Sequence, residues 1–290
     1  MRARRPSAVL AMTVQTALLQ GVKLLDDAAI AVPRLTAEVL LAHALQRDRA
    51  YLYAHSDEEL SERAWIHYGR YLHERLKGKP TQYITGRQEF YGREFRVTPD
   101  VLIPRPETEH LVEASLQRIR PGDTVLDAGT GSGAIAVSLA LEAGARILAT
   151  DVSLPALCVA AANARKLNAN VTFLACDLAA CIASRSLNAL VSNPPYVPRS
   201  DQAGLQREVR DWEPHVALFS GPTGLEMYQR LVTEAERVLR PRGWLLVELG
   251  YNSLEPVRSM LGSGWSEIEV RADLAGLPRV LAARWSHAPV

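Results

Sequence analysis

The chain has 290 residues, of which 48% are hydrophobic and 22% charged, and its formal net charge at pH 7 is +1. This composition is typical of a globular protein with enough material for one large domain or two ordinary ones. It gives no broad electrostatic footprint for nucleic acid, although a local basic patch stays compatible with it. No apolar run approaches the length that spans a bilayer. We therefore expect neither a stable nucleic acid complex nor a membrane partner.

The cysteines and the first residues bear on the compartment. Cys158, Cys176 and Cys181 lack the spacing of a zinc or redox site, so we interpret them as reduced core thiols in a cytoplasmic protein that holds no metal. Residues 1–12 carry three arginines and a short apolar stretch, which is too weak a pattern for a signal peptide. We predict a flexible extension there, with an organellar transit peptide as the alternative.

Residues 13–80 are predicted to form a small helical bundle. Apolar side chains recur there at helical spacing, and Pro33 precedes a second run in the position that proline takes in a first helical turn.

Residues 81–106 differ in pattern from the helical residues before them. Short β-type runs at residues 82–84, 89–91 and 94–97 are broken by Gly86 and Gly92 and predict one or two hairpins that link two domains.

The remaining residues, 107–290, alternate between strand and helix patterns, which indicates a parallel sheet. The last two strands are joined by a loop short enough for an antiparallel pair. The sequence therefore predicts an α/β fold with a seven-stranded, mostly parallel, doubly wound sheet. The predicted strands cover residues 124–127, 146–151, 171–175, 187–192, 244–249, 266–270 and 279–285.

A glycine-rich loop follows the first of these strands and predicts a ligand site. Glycines allow positive φ and let backbone N–H groups approach a ligand closely. The loop, with Asp151 twenty residues after Gly131, also satisfies a relaxed dinucleotide fingerprint, so by itself it leaves NAD and S-adenosylmethionine open. The charge of Asp127 would repel a pyrophosphate but suits a sulfonium and an ammonium, and Asp177 could accept from an adenine amine. These carboxylates favour S-adenosylmethionine. The loop residues are Asp127, Ala128, Gly129, Thr130, Gly131, Ser132 and Gly133.

The fourth predicted strand ends in Asn193-Pro194-Pro195-Tyr196. Proline fixes φ and removes a backbone donor, so the strand must stop there, at the edge where ligands bind in open α/β sheets. The asparagine amide offers both an acceptor and donors, the proline carbonyls are free to accept, and Tyr196 can pack on a planar group. The pattern predicts a site for a planar N–H₂ group; the alternative is a structural turn with a buried tyrosine.

Together these motifs resemble the PrmC (HemK) family of glutamine-N5 methyltransferases, which modify the Gly-Gly-Gln glutamine of class I peptide chain release factors. The likeness runs from about Pro33 onward and includes residues 102–109, 213–214, 224–225 and 248–250. It implies a class I S-adenosylmethionine-dependent methyltransferase domain and a helical domain that docks the release factor. We expect a monomer.

The resemblance also implies the roles of individual residues. The cofactor would contact the glycine loop (Asp127, Gly129, Thr130, Gly131, Ser132 and Gly133), Asp151, Asp177, Leu178 and Asn193. The glutamine would be held by Asn193, Pro194, Pro195 and Tyr196, with Arg105 lining the cleft. Two positions depart from the family pattern: Leu178 stands where an aromatic residue is frequent, and Asn188 where aspartate is common.

Four alternatives compete with this interpretation. A methyltransferase for an adenine or guanine amino group could use the same asparagine, but should carry a basic groove with stacking aromatics. A methyltransferase for a ribosomal-protein glutamine should differ in residues 102–109. A non-catalytic cofactor-binding scaffold would not need the loop, Asp151 and Asn193 together. A dehydrogenase should bind NAD.

Overall fold

The computed structural model describes residues 12–286 and divides the chain into two compact units, the first ending at Thr85 and the second beginning at Gly86. The boundary falls within the segment 81–106 that the sequence predicts as a linker. The extension predicted for residues 1–12 lies outside the described residues, apart from Met12.

The first unit is helical, as predicted. Its core is built by one face of each long helix, with Leu25, Leu40, Leu41 and Tyr68 fully buried. The helix starts are set by side-chain caps, because Thr13 and Ser61 each accept a hydrogen bond from the backbone N–H three residues later. The helices are α1 (Val14–Asp27), α2 (Pro33–Leu45), α3 (Arg49–Ala54), α4 (Glu62–Leu76) and α5 (Thr81–Thr85).

The β-type run predicted at residues 82–84 is wrong, because these residues lie in α5. The backbone N–H groups of Tyr83 and Ile84 both donate to the Pro80 carbonyl, at 3.1 Å, and so begin a helical turn. This turn buries the Tyr83 ring and packs Ile84 against the helical core. Burial in a bundle decides the local structure here over the β-propensity of two residues.

One hairpin follows, formed by β1 (Arg87–Phe90) and β2 (Arg93–Arg96), and it belongs to the second unit. Its turn uses Tyr91 and Gly92, both with positive φ. Phe90 and Phe95 are fully buried, with ring centroids 6.0 Å apart in an edge-on arrangement, and they pack into a core of the second unit. The hairpin is therefore anchored by its aromatic side chains.

The second unit contains the predicted seven-stranded sheet. A short 3₁₀ turn (Pro106–Thr108) and α6 (Glu109–Leu116) precede it. The elements that follow are β3 (Thr124–Ala128), α7 (Ala134–Glu142), β4 (Arg146–Asp151), α8 (Leu154–Lys166), β5 (Val171–Ala175), β6 (Leu187–Ser192), β7 (Val197–Pro198), α9 (Arg207–Trp212), α10 (His215–Leu218), β8 (Phe219–Gly221), α11 (Glu226–Val238), β9 (Leu239–Glu248), α12 (Leu254–Ser259), β10 (Trp265–Ala272) and β11 (Pro278–Trp285).

The strand order is β10-β11-β9-β6-β3-β4-β5, and only the pairs that involve β11 are antiparallel. One face of the sheet is covered by α6 and α7, and the other by α11 and α12, each over its own buried apolar cluster. The predicted doubly wound α/β fold is confirmed. The fifth strand of the sheet, β9, begins five residues before the predicted start at residue 244, and its register with β6 shifts between Leu187 and Ala189.

The cysteines are not core residues, contrary to the sequence interpretation. All three are free thiols, but Cys158 and Cys181 are exposed and Cys176 is half-buried. Between residues 12 and 286, the histidine, cysteine and acidic side chains form no group of three or more that could hold a metal ion. In the same range no helix is both long and apolar enough to cross a membrane.

Candidate active site

The carboxyl ends of the parallel strands bring the predicted site residues to one edge of the sheet. Asp127 pairs in register with Val191, and Ser192 donates from its hydroxyl to the Ala128 carbonyl at 2.7 Å. Asn193 therefore follows directly beside Gly129, where the glycine loop begins. This placement joins the two sequence motifs into one site, as expected for ligand binding in an open α/β sheet.

The glycine loop is held by its own hydrogen bonds. Gly129, Gly131 and Gly133 all have positive φ, between 54° and 82°, which glycine adopts at little cost. The N–H groups of Gly129 and Thr130 both donate to the Thr150 carbonyl at 2.9 Å. These two N–H groups fasten the loop to β4. A Cβ on Gly129 or Gly131 would meet open space, so the loop leaves room above it for a ligand.

Asp127 is fully buried, and only one of its carboxyl oxygens is satisfied. Oδ2 accepts from the Thr130 hydroxyl at 2.6 Å and from the Ala136 N–H at 3.1 Å. Oδ1 is buried and has no hydrogen-bond partner within the described residues. Burial raises the pKa of this carboxyl to about 7. A buried acceptor without a donor fits a ligand that brings a cationic or N–H group, as the predicted cofactor would.

Asp151 ends β4 and connects the loop to the next helix. Its Oδ2 accepts from the Gly131 N–H and its Oδ1 from the Ser153 N–H, both at 2.9 Å. A carboxylate oxygen can accept more than one hydrogen bond, so both oxygens keep capacity for the two hydroxyls of a ribose. The half-buried position of Asp151 leaves it accessible to such a ligand.

The residues after β5 are less open than the sequence suggests. Asp177 is exposed and forms an ion pair with Arg230 at 2.7 Å. Nothing in the sequence indicated this role for Arg230. Leu178 is only 6% exposed and packs in the core, so little of its side chain is available to cover a ring. Its backbone is in the left-handed region, with its carbonyl accepting from the Thr150 hydroxyl at 2.7 Å.

Asn193 is half-buried and its side chain is oriented by a hydrogen bond. Nδ2 donates to the Thr108 hydroxyl at 3.2 Å. Along β6, Ala189 and Val191 face the cluster under α6, and alternation puts Asn193 on that same face. Thr108 begins this helix and is only 4% exposed. The amide oxygen is thereby left for another partner.

The Tyr196 ring is fixed by close backbone packing. A Cβ on Gly250 would lie 2.7 Å from Tyr196 Cδ2, and one on Gly224 would lie 2.5 Å from the Tyr196 carbonyl oxygen. The Tyr228 hydroxyl donates to the Glu248 carbonyl at 2.8 Å and accepts from the Gly250 N–H at 3.0 Å. Burial raises the pKa of the Tyr196 phenol, which therefore stays protonated. In the same turn, Pro194 is buried and Pro195 is half-buried.

Arg105 is engaged within the protein. Its guanidinium forms an ion pair with the buried carboxyl of Glu213, whose other oxygen accepts from the Ile103 N–H at 3.3 Å. Burial raises the pKa of Glu213, while Arg105 lowers it. The pair fixes the proline-rich segment beside the site. In the sequence, Glu213 belongs to the residues that resemble the family, but the sequence assigned it no role in the site.

Glu248 is a site residue that sequence reasoning missed. It is 3% exposed at the end of β9, and its Oε2 is buried without a hydrogen-bond partner in the part of the chain that the structure describes. Burial raises its pKa to about 7. The available signal was a carboxylate inside the otherwise apolar run at residues 244–249, a position where burial needs a reason.

Comparisons with known proteins agree with this geometry. Residues 16–86 match the PrmC N-terminal domain, and residues 107–208 match the methyltransferase small domain. The release factor glutamine methyltransferase of Koribacter versatilis is 44% identical over 278 residues, covering 94% of this chain and 99% of that one. The protein of the same name from Nitratidesulfovibrio vulgaris is 42% identical over 287 residues, covering 96% and 97%.

A crystal structure of a methyltransferase from Pyrococcus furiosus shares the fold, with a TM-score of 0.52 at 18% identity over 68% of this chain and 91% of that one. The fold and the matched methyltransferase domain thus define an α/β methyltransferase, a class of enzyme that uses a cofactor of the S-adenosylmethionine type. Within that class, the chain belongs to the release factor glutamine methyltransferase family. The resemblance to the PrmC family is confirmed, and the dehydrogenase alternative is excluded.

Proposed function

We propose that this protein methylates the side-chain amide nitrogen, N5, of the glutamine in the Gly-Gly-Gln motif of a class I release factor. The observation that carries the proposal is the orientation of Asn193: its Nδ2 is turned toward Thr108, beside the glycine loop, and its Oδ1 is left to accept. An amide acceptor at this position suits a substrate that presents N–H donors on a planar group.

The residues around the loop fit S-adenosylmethionine. Asp127 Oδ1 would accept from the ammonium group, and Asp151 from the ribose hydroxyls. Gly129, Thr130, Gly131, Ser132 and Gly133 would line the space between them, and Asp177 and Leu178 would flank the adenine. S-adenosylmethionine supplies an electrophilic methyl carbon on a sulfonium, which is a very good leaving group.

The task of the protein is alignment, because an amide nitrogen is a poor nucleophile whose lone pair is delocalised into its carbonyl. Asn193 Oδ1 and the Pro194 carbonyl would each accept a hydrogen bond from one N–H group of the glutamine amide. These hydrogen bonds would raise the electron density on the nitrogen. Tyr196 and Pro195 would pack against the amide plane. Positioning of this kind contributes roughly 7–11 kcal/mol toward a barrier. Water suffices to take the proton, so no strong base is needed.

The finer expectations follow from this reaction. The helical unit would dock the release factor, and Arg105, held by Glu213, would line the path of the Gly-Gly-Gln loop. Translation termination takes place in the cytoplasm, so we propose that location. We also propose that the enzyme works as a monomer, which light scattering at assay concentration tests directly.

The decisive experiment is methyl transfer with labelled S-adenosylmethionine. We expect label on a purified class I release factor and none on a variant with the Gly-Gly-Gln glutamine changed to alanine. Transfer to a ribosomal protein or to RNA in parallel reactions, with none to the release factor, would overturn the proposal.

A further inference from the structure

We propose that Thr108 and Glu248 are positioning residues that determine which end of the Asn193 carboxamide faces the substrate. The inference rests on the proposed function, because it concerns the same asparagine. It adds a three-residue arrangement in which the Glu248 carboxylate orients the Thr108 hydroxyl, and that hydroxyl orients Asn193.

The three side chains lie on one face of the sheet. Ser192 pairs in register with Val247, so Asn193 and Glu248 follow side by side at the ends of β6 and β9. Alternation places both on the face covered by α6, where Thr108 begins the helix. Asn193 Nδ2 lies 3.2 Å from Thr108 Oγ1, and Thr108 and Glu248 are 4% and 3% exposed. The Thr108 hydroxyl also lies close enough to Glu248 to lower the pKa of that carboxyl, while Glu248 Oε2 has no hydrogen-bond partner among the described residues.

Counting donors shows why the charge of Glu248 matters. The Thr108 hydroxyl has one proton to give and two lone pairs. When that proton is directed at an ionised Glu248, the hydroxyl can only accept from Asn193, so Nδ2 faces inward and Oδ1 faces the substrate. When Glu248 is protonated, the hydroxyl is free to donate to Asn193 Oδ1. The turned carboxamide would then present its own N–H groups to those of the glutamine amide.

The surroundings of Glu248 allow both states near neutral pH. Burial raises its pKa to about 7, whereas the Thr108 hydroxyl and two arginines lower it and a nearby carboxylate raises it. Tyr228 contributes a hydroxyl that donates to the Glu248 carbonyl, and a second phenol lies nearby. The charged and titratable groups that face Glu248 are Arg105, Glu107, Tyr196, Tyr228 and Arg279, the last being ion-paired with Asp273.

Single variants test the arrangement at saturating S-adenosylmethionine, where Asp127 is held by its ligand. Thr108→Val should lower kcat about 10- to 100-fold, the usual range for losing a hydrogen bond to a charged network. Thr108→Ser keeps the hydroxyl and should restore most of the activity. Ser115→Ala is the matched control, because Ser115 is a buried hydroxyl on the same helix that donates only to the Leu111 carbonyl. It should behave as wild type.

Two readouts separate positioning from a merely structural role. The wild-type kcat should rise with pH through about 7, since the ionised carboxyl is the active form, and Glu248→Gln should remove that rise. The side-chain ¹⁵N amide signals of Asn193, identified by their loss in Asn193→Ala, should titrate over the same range in the wild type. They should not titrate in Glu248→Gln.

The outcomes are distinguishable from failure of the proposed function. If the wild type does not methylate a release factor, the function fails, and the Asn193 signals still test the arrangement. If the wild type is active but Thr108→Val matches it, or the Asn193 signals do not titrate, the inference is overturned. Should Thr108→Val fail to fold, the pH profile of Glu248→Gln and the Asn193 signals still decide the inference.

Discussion

Two buried carboxyl groups, Asp127 and Glu248, distinguish this site at the residue scale. Each has one oxygen without a partner among the described residues, and burial raises the pKa of each to about 7. An unpaired buried carboxylate is costly, so a fold that keeps two at one sheet edge has them available for ligands or for orienting other groups. In the proposed reaction Asp127 receives the cofactor, and Glu248 acts on Asn193.

We predict that Asn193→Ala strongly lowers turnover while cofactor binding survives. The side chain holds the substrate amide, and loss of one such aligned group typically lowers kcat by about 10²- to 10³-fold. Calorimetry with S-adenosylmethionine should give a dissociation constant within about threefold of wild type, or roughly 0.7 kcal/mol. An equal collapse of cofactor affinity would contradict the assigned role.

We predict that cofactor binding depends on pH, because the carboxyl of Asp127 titrates near neutral pH. A cationic ligand prefers the ionised carboxyl, so affinity for S-adenosylmethionine should rise between pH 6 and pH 8, through the pKa of about 7. In the cofactor-free protein, the raised pKa means that folding favours the protonated carboxyl of Asp127. Its contribution to stability is present below the unfolded pKa and is lost as pH rises through about 7.

Calorimetry at the two pH values checks the binding effect. Asp127→Asn is the control variant, because it removes the titrating group but keeps an acceptor oxygen. Its affinity should be weaker and independent of pH over this range. A wild-type affinity that is flat from pH 6 to pH 8 would exclude Asp127 as the ammonium partner.

At the scale of elements, two connections are fixed by contacts distant in sequence. The turn after β6 is held where Gly224 and Gly250 allow the backbone and ring of Tyr196 to approach closely. The segment before α6 is held by the buried Glu213, through Arg105 and the Ile103 N–H. Rigid turns of this type position a site more precisely than free loops do.

Gly250→Ala should therefore impair catalysis through Tyr196. The added Cβ would lie 2.7 Å from the ring, which must move, and we expect kcat/KM for the release factor to fall at least about tenfold. Gly262→Ala is the control, since a Cβ there meets nothing within 4 Å and neither position has positive φ. Both variants are compared in steady-state assays, and equal activity would show that the Tyr196 position is unimportant.

A stability prediction belongs to α4. Gly69 lies in the helix interior, is exposed, and would place a Cβ in open space. Gly69→Ala should raise the free energy of unfolding of the helical unit by roughly 0.5–1 kcal/mol, because alanine loses less backbone entropy in a helix. Urea unfolding followed by circular dichroism measures the change, and a decrease would mean that this surface has a neighbour.

At the scale of the whole molecule, each of the two units has its own buried core. A protein that begins at Gly86 keeps the sheet, both of its apolar clusters and every proposed cofactor residue. We predict that it binds S-adenosylmethionine like the full chain and methylates a short Gly-Gly-Gln peptide equally well. On intact release factor its kcat/KM should fall at least about tenfold, since docking contacts are lost. An unchanged value would show that the helical unit does not dock the substrate.

The sequence by itself determined the sheet and the position of the site. Alternating strand and helix patterns predicted seven strands, and the glycine loop and the Asn193 turn predicted that a cofactor and an amide meet at their carboxyl ends. These features are local in sequence: strand length, proline stops and glycine at positive φ each act within a few residues. The helix of residues 81–85 was missed because bundle packing there overrides local propensity.

Only the tertiary structure decided what orients the site residues. Thr108 and Glu248 are 140 residues apart in the sequence, yet both lie beside Asn193 because β6 and β9 are neighbours and α6 covers the same face. Likewise, Glu213 reaches Arg105, and Arg230 reaches Asp177. Sequence reasoning could not find these partners, since a hydrogen bond depends on distances that only the folded chain sets.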